Sequence, residues 1–184
     1  MHILIIGKVG AGKSTLILRL LQHTDKPVYG FLTKKEAPDA DGNCQVYIHS
    51  PNGNRQYTNE NLVGTCTKDG AFGFPEAFDR FAYLLKNIPE GSVVMMDELG
   101  VMESEAAGFC NAVLSVMDGG YHVIAAVKPK DTPFLQAVRT HKKARIYRIS
   151  KTNRDALYET ILRDQAEGSS SPWNRKKSIC AIRS

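Results

Sequence analysis

Apolar positions along this chain fall into two periods. Ile3 to Ile6 is a short β-branched run, the pattern of a strand buried on both faces. Thr15 to Leu21 is almost wholly apolar and follows a glycine loop directly, which predicts a helix packed on a sheet. Val28 to Thr33 predicts a second strand. Residues 36 to 61 contain two turn clusters, Ala37-Pro38-Asp39-Ala40-Asp41-Gly42-Asn43 and Ser50-Pro51-Asn52-Gly53-Asn54. Cys44 to His49 lies between them and Arg55 to Thr58 follows, so antiparallel hairpins inserted beside the main sheet are expected.

Further on, Phe74, Phe78, Phe81 and Leu85 recur at helical spacing before Pro89. Val93 to Met96 predicts a buried strand ending at Asp97. Ser104 is the expected N-cap of a helix with the core stripe Phe109, Val113, Val116 and Met117, stopped by Gly119-Gly120. Tyr121 to Val127 and Ile146 to Ile149 predict strands. Thr132-Pro133 has the cap-then-proline order of a helix start, and Thr152-Asn153-Arg154-Asp155 resembles a capping box before a helix bearing Leu157 and Ile161. Strands alternate with helices, so the fold class is α/β: a mainly parallel, Rossmann-like sheet covered on both faces.

Composition narrows the classes. The 184 residues, 42% hydrophobic and 23% charged, suit one globular domain. Residues 1–167 are expected to form it. Residues 168–184, entered through Gly168-Ser169-Ser170-Ser171-Pro172, are expected to be a disordered basic tail. The net charge is +5, but Arg175, Lys176, Lys177 and Arg183 of the tail supply four of these charges, leaving +1 for the rest. A solvated tail explains that as well as nucleic acid does, so the reading is against nucleic acid; the tail could instead dock a protein partner. No run reaches the ~18 apolar residues of a spanning helix, and Met1-His2 leads into no signal peptide, so no membrane association is expected. Four scattered cysteines (Cys44, Cys66, Cys110, Cys180) without a CxxC pair read as reduced thiols of a cytoplasmic protein. The five histidines have no metal-ligand spacing.

Two motifs carry chemistry. Gly7-Lys8-Val9-Gly10-Ala11-Gly12-Lys13-Ser14 matches G-x-x-x-x-G-K-[ST] between a strand and a helix. Glycines let the backbone curl so that successive N–H groups face the crowded oxygens of a triphosphate, and the helix adds its positive end. Gly7 through Thr15 are thus the expected nucleotide-binding residues, with Lys13 between the β- and γ-phosphates and Ser14 on Mg²⁺. Lys8 occupies a variable position of the loop and reads as solvated. Val93-Val94-Met95-Met96-Asp97-Glu98 has the Walker B form, four apolar residues and two acids. It brings Asp97 to the carboxyl edge of the sheet as a second metal-side group and leaves Glu98 to activate water. Lys13 and Glu98 are therefore the catalytic candidates. Asp97-Glu98-Leu99-Gly100 also fits the D-x-x-G of small GTPases, but no N-K-x-D segment follows. Glu103 and Glu105 stand either behind the metal or in the first turn of the next helix. Seven basic residues between 128 and 148 are mostly solvated on the default reading. Lys128, Arg139 and, farther on, Arg154 are candidates to close on the γ-phosphate.

The phosphate loop, Gly30-Phe31-Leu32-Thr33, the run Met96-Asp97-Glu98-Leu99-Gly100-Val101-Met102-Glu103 and Thr152-Asn153-Arg154-Asp155 occur in an order that resembles the nucleoside-triphosphatase family of archaea, bacteria and animals, the family of the cancer-related nucleoside triphosphatase. The resemblance covers roughly residues 1–164. It implies a compact P-loop fold and slow Mg²⁺-dependent hydrolysis of ATP, GTP and other triphosphates. Carried over residue by residue, it gives Gly12, Lys13 and Ser14 to phosphate and metal, Asp97 to the metal, and Glu98 to catalysis. The arginine usual after Gly-Phe-Leu-Thr in that family is missing from Lys34-Lys35-Glu36-Ala37-Pro38. Two other functions use the same loop: a small-molecule kinase whose acceptor displaces water, and a slow nucleotide-dependent switch.

Overall fold

The computed structural model describes residues 1–166. The expected tail, 168–184, lies outside the described residues. Among the described residues eight strands form a single sheet: β1 His2–Ile6, β2 Val28–Lys35, β3 Cys44–His49, β4 Leu62–Thr67, β5 Gly70–Gly73, β6 Val93–Leu99, β7 His122–Val127 and β8 Ala144–Arg148. Their order is β5-β4-β3-β2-β6-β7-β1-β8. Strands β2, β6, β7, β1 and β8 are parallel neighbours. Strands β3, β4 and β5 pair antiparallel and extend the β2 edge. The inserted hairpins therefore continue the main sheet. Residues 55–58, expected as a strand, are not one; Leu62–Thr67 and Gly70–Gly73 take that place.

Alternation along the parallel strands splits the core in two. Leu4, Ile6, Phe31, Val94 and Met96 face the side covered by α2 (Pro75–Phe81, continued by a 3₁₀ turn Ala82–Leu85), α3 (Ala107–Asp118) and α4 (Pro133–Thr140). Ile3, Ile5, Val93 and Met95 face α1 (Lys13–Leu21) and α5 (Arg154–Ala166). Both layers are needed because every central strand is apolar on both faces. Phe109 anchors the first side, edge-on to Phe31 at 5.0 Å and to Phe78 at 5.3 Å between centroids.

Helix starts follow the sequence in part. Thr132 caps α4 by accepting the Leu135 N–H at 3.1 Å. Ser104 does not cap α3, whose cap position is Ala106; its hydroxyl donates to Gly100 O at 3.0 Å and meets Thr132 Oγ1 at 3.0 Å. Asn153 works before α5 as a clasp: its amide donates to Arg148 O at 3.0 Å and its oxygen accepts the Ser150 N–H at 2.8 Å. That clasp fixes the turn leaving β8, beside the phosphate loop.

Candidate active site

Parallel order makes β1, β6 and β7 end on the same edge of the sheet. The segments that follow them there carry the chemistry. Residues 7–12 join β1 to α1. Gly12 is the cap residue of α1 with φ 98°, a left-handed conformation that favours glycine, and a Cβ there would lie 2.7 Å from Arg154 Cδ. The first turn of α1 holds no acid, so its positive end is not neutralised by its own sequence. Val9 is 80% exposed at the crown of the loop, and Lys8 is exposed beside it. Lys13 is buried. Its ammonium donates to Gly7 O at 2.9 Å and Lys8 O at 3.2 Å, and sits 2.9 Å from Glu98 Oε2.

Across from the loop, β6 delivers the acids. Asp97 is buried at the end of an apolar strand and takes a hydrogen bond from Ser14 Oγ at 3.1 Å. The Thr33 hydroxyl donates to Asp97 O at 3.3 Å, tying the end of β2 to the same point. Burial pushes the Asp97 carboxyl above its ordinary value; the Ser14 bond and the Lys34 and Lys13 charges pull it back, while Glu98 adds to the rise. The β6–β7 register shifts between Asp97 and Leu99. The Glu98 side chain, 22% exposed, meets Lys13 and, at 3.2 Å, Lys128.

The next turn is held from below. Glu103 is buried, and its carboxylate accepts the Gly100 N–H. Burial pushes the Glu103 carboxyl up to about 7, against the pull of that bond and of Lys128. Of the two sequence readings, a place in the first turn of α3 is excluded for Glu103 and Glu105, because α3 starts at Ala107 with no acid in its first turn. Glu105 is exposed. The Cys110 thiol, which donates to Glu103 O at 3.2 Å, is pushed up to about 12 by burial and by Glu103.

These groups surround a cleft of about 160 Å³ lined by Ser14, Asp97, Glu98 and Lys128 on its polar side and by Val46, Phe78 and Met102 on its apolar side. Thr33, Lys35, Gly100 and Glu103 complete its wall. Val46, Phe78 and Met102 were not legible as site residues, since an apolar wall reads as core in a linear sequence, and nothing in the sequence set Lys35 apart from Lys34. Thr33 had a signal: it closes the β2 run, and the register Leu32↔Asp97 sets it next to the acid. Of the basic candidates, Lys128 reaches the cleft. Arg139 does not; it binds Asp131 at 2.5 Å and Lys130 O at 2.7 Å. Arg154 packs on Gly12 and lines a separate hollow with Thr15, Arg19 and Asp155.

The donor set suits a magnesium ion carried in with phosphate. A hydroxyl and a carboxylate are hard oxygen ligands of the kind Mg²⁺ takes, and the ion would draw further ligands from phosphate and water. Among the described residues no cluster of three or more His, Cys, Asp or Glu side chains could hold a metal by itself.

The chain is 27% identical over 175 residues to the nucleoside-triphosphatase THEP1 of Aquifex aeolicus, covering 88% of this chain and 97% of that one. It is 26% identical over 188 residues to the cancer-related nucleoside-triphosphatase homolog of Bos taurus, covering 88% and 94%. The crystal structure of Aquifex aeolicus THEP1 shares the fold with a TM-score of 0.65 at 23% identity, over 89% of this chain and 98% of that one. The solution structure of a human cancer-related nucleoside triphosphatase does so with 0.61 at 21% identity, over 91% and 99%. The NTPase family model matches residues 2–162, nearly the whole described chain, and this protein belongs to that family.

Proposed function

We propose that the chain hydrolyses nucleoside triphosphates, ATP and GTP among them, to the diphosphate and phosphate, with Mg²⁺ as the cofactor. The observation that carries this reading is the meeting of Ser14, Asp97 and Glu98, from two segments far apart in sequence, around one cleft, with Lys13 paired to Glu98 at 2.9 Å. The N–H groups of Gly7 through Thr15 and the positive end of α1 hold the phosphates. Lys13 neutralises charge building on the β–γ bridge. Ser14 and Asp97 would hold the metal, which would supply polarisation of the phosphoryl oxygens. Glu98 orients a water in line with the γ-phosphorus and takes its proton as the oxygen–phosphorus bond forms. The bond to the bridging oxygen breaks, and its electron pair leaves with the diphosphate.

Loose base choice is part of this proposal. Among the described residues no helix is long and apolar enough to cross a membrane, and a cytoplasmic site of action is part of this proposal as well. One feature favours a second reading. Hydrolysis needs no apolar wall, yet Val46, Phe78 and Met102 provide one beside Glu98, as an acceptor pocket of a small-molecule kinase would.

A panel of triphosphates assayed for phosphate and for diphosphate tests both. Phosphate release without any acceptor, lost in Glu98→Gln while nucleotide binding persists, supports the hydrolase. Diphosphate formed only with an added hydroxyl compound, its phosphoryl group carried on that compound and not released as phosphate, supports the kinase. Undiminished release by Glu98→Gln removes Glu98 from the mechanism.

A further inference from the structure

Strand β7 lies between β6 and β1, so the residue that follows its end, Lys128, emerges between the acid-bearing turn and the phosphate loop. Three contacts fix it. Its N–H donates to Leu99 O at 2.8 Å. Its aliphatic chain crosses Gly100 so closely that a Cβ there would meet Lys128 Cδ at 2.9 Å. Its ammonium lies 3.2 Å from Glu98 Oε1. Glu98 thus has one ammonium per carboxylate oxygen, Lys13 on Oε2 and Lys128 on Oε1.

The two lysines are not equivalent. An ammonium has three donors. Lys13 directs them at Gly7 O, Lys8 O and Glu98 Oε2. It can bind phosphate oxygens only by giving up such partners. Lys128 has no comparable obligation to the loop, and its chain is braced by Gly100.

We propose that Lys128 is the positioning residue of Glu98: as Lys13 turns to the phosphates, Lys128 keeps the carboxylate by Oε1 and leaves Oε2 aimed at the attacking water. This rests on the reading of Glu98 as the group that activates water. Lys128 acts through Glu98 and need not touch the nucleotide. It differs in this from a cation that closes on the γ-phosphate, which would bind the triphosphate directly.

The test is a double-mutant cycle on the full chain. It measures kcat, KM and the Kd of an unhydrolysable triphosphate analogue for wild type, Lys128→Met, Glu98→Gln and the double variant, with Lys128→Gln as a second neutral form. Tight analogue binding doubles as the check of folding. The expected result is a ~10- to 100-fold fall in kcat for Lys128→Met with Kd within about 3-fold of wild type, and a double variant no slower than Glu98→Gln alone, the non-additivity of residues that act as a unit. Wild-type kcat in both Lys128 variants overturns the proposal. So does a further loss when Lys128→Met is added to Glu98→Gln, or a rise in Kd matching the fall in kcat, which would make Lys128 a phosphate ligand. Wild-type turnover in Glu98→Gln removes the reading of Glu98 and the proposal with it. Loss in Glu98→Gln with wild-type turnover in Lys128→Met removes Lys128 alone.

Discussion

Ser14 Oγ donates to Asp97 Oδ1 at 3.1 Å, joining two residues 83 positions apart in the chain. The contact exists because β1 and β6 are both parallel to β7 and end on the same edge. It is also the pair that a phosphate-bound magnesium ion would share, so each partner should matter to the metal more than to the fold.

If Ser14 is a ligand of that ion, Ser14→Ala removes one ligand and leaves the loop backbone untouched. Phosphate release should then need at least ~10-fold more Mg²⁺ for half-maximal rate, the scale on which metal sites respond to losing a supporting group. A magnesium titration of wild type and variant checks this. Coincident curves would take Ser14 off the metal.

Mg-nucleotide should stabilise the folded chain through Lys13. At ~100 times its dissociation constant a ligand adds ~2.7 kcal/mol. A thermal melt of wild type with Mg²⁺ and an unhydrolysable analogue should show that gain. Lys13→Ala should show no shift and no turnover. An equal shift in the variant would place the ligand away from the loop.

Gly30 sits in the β2 run with φ 102°, and a Cβ there would meet Met95 O at 2.0 Å. Gly30→Ala combines a backbone penalty of ~1–3 kcal/mol with a clash against main chain that cannot swing aside. Urea denaturation should show a loss of about 3 kcal/mol or more. A loss under about 1 kcal/mol would mean that β2 and β6 part easily, against the tight register seen between them.

Two buried groups give opposite pH dependences. Glu103, with its carboxyl raised to about 7, keeps its proton in the folded state after the unfolded chain has released it, so stability falls as pH rises from about 4.5 to about 7. His2 is buried and neutral: its Nε2–H donates to Met117 O at 2.7 Å and its Nδ1 accepts the Val123 N–H at 3.3 Å. Burial lowers it to about 4, so the unfolded chain takes the proton first and stability falls as pH drops from 6.5 toward 4. Each effect is on the order of 3 kcal/mol at full extent, and between pH 4.5 and 6.5 they oppose. The two contributions therefore partly cancel there. Glu103→Gln should gain stability with rising pH relative to wild type, and His2→Gln should resist acid better than wild type. Urea midpoints at four pH values test this; parallel curves would contradict it.

The phosphate loop and the Asp97-Glu98 pair were legible because their chemistry is written in contiguous residues. So were the central strands, whose unbroken apolar runs admit one kind of setting. The hairpin edge was not. Its outer strand Gly70–Gly73 carries two glycines and little β-branched character, and Gly73 is there because a Cβ would meet Met102 O at 1.8 Å. That need comes from packing on a turn about thirty residues later, which local pattern does not reveal. Ser104 misled for a related reason: it has the chemistry of a cap, but Gly100 O claims its hydroxyl. Among seven basic residues from 128 to 148, only the strand-end position of Lys128 set it apart, and its contact with Glu98 required the sheet order.

A crystal structure of the chain with Mg²⁺ and an unhydrolysable triphosphate analogue is the sharpest check of this site. Phosphates should sit on the Gly7–Thr15 loop with the metal between Ser14 and Asp97, and Lys13 should have moved from Glu98 to the phosphates. Phosphates bound elsewhere, or Lys13 still paired with Glu98 beside an occupied loop, would overturn the site.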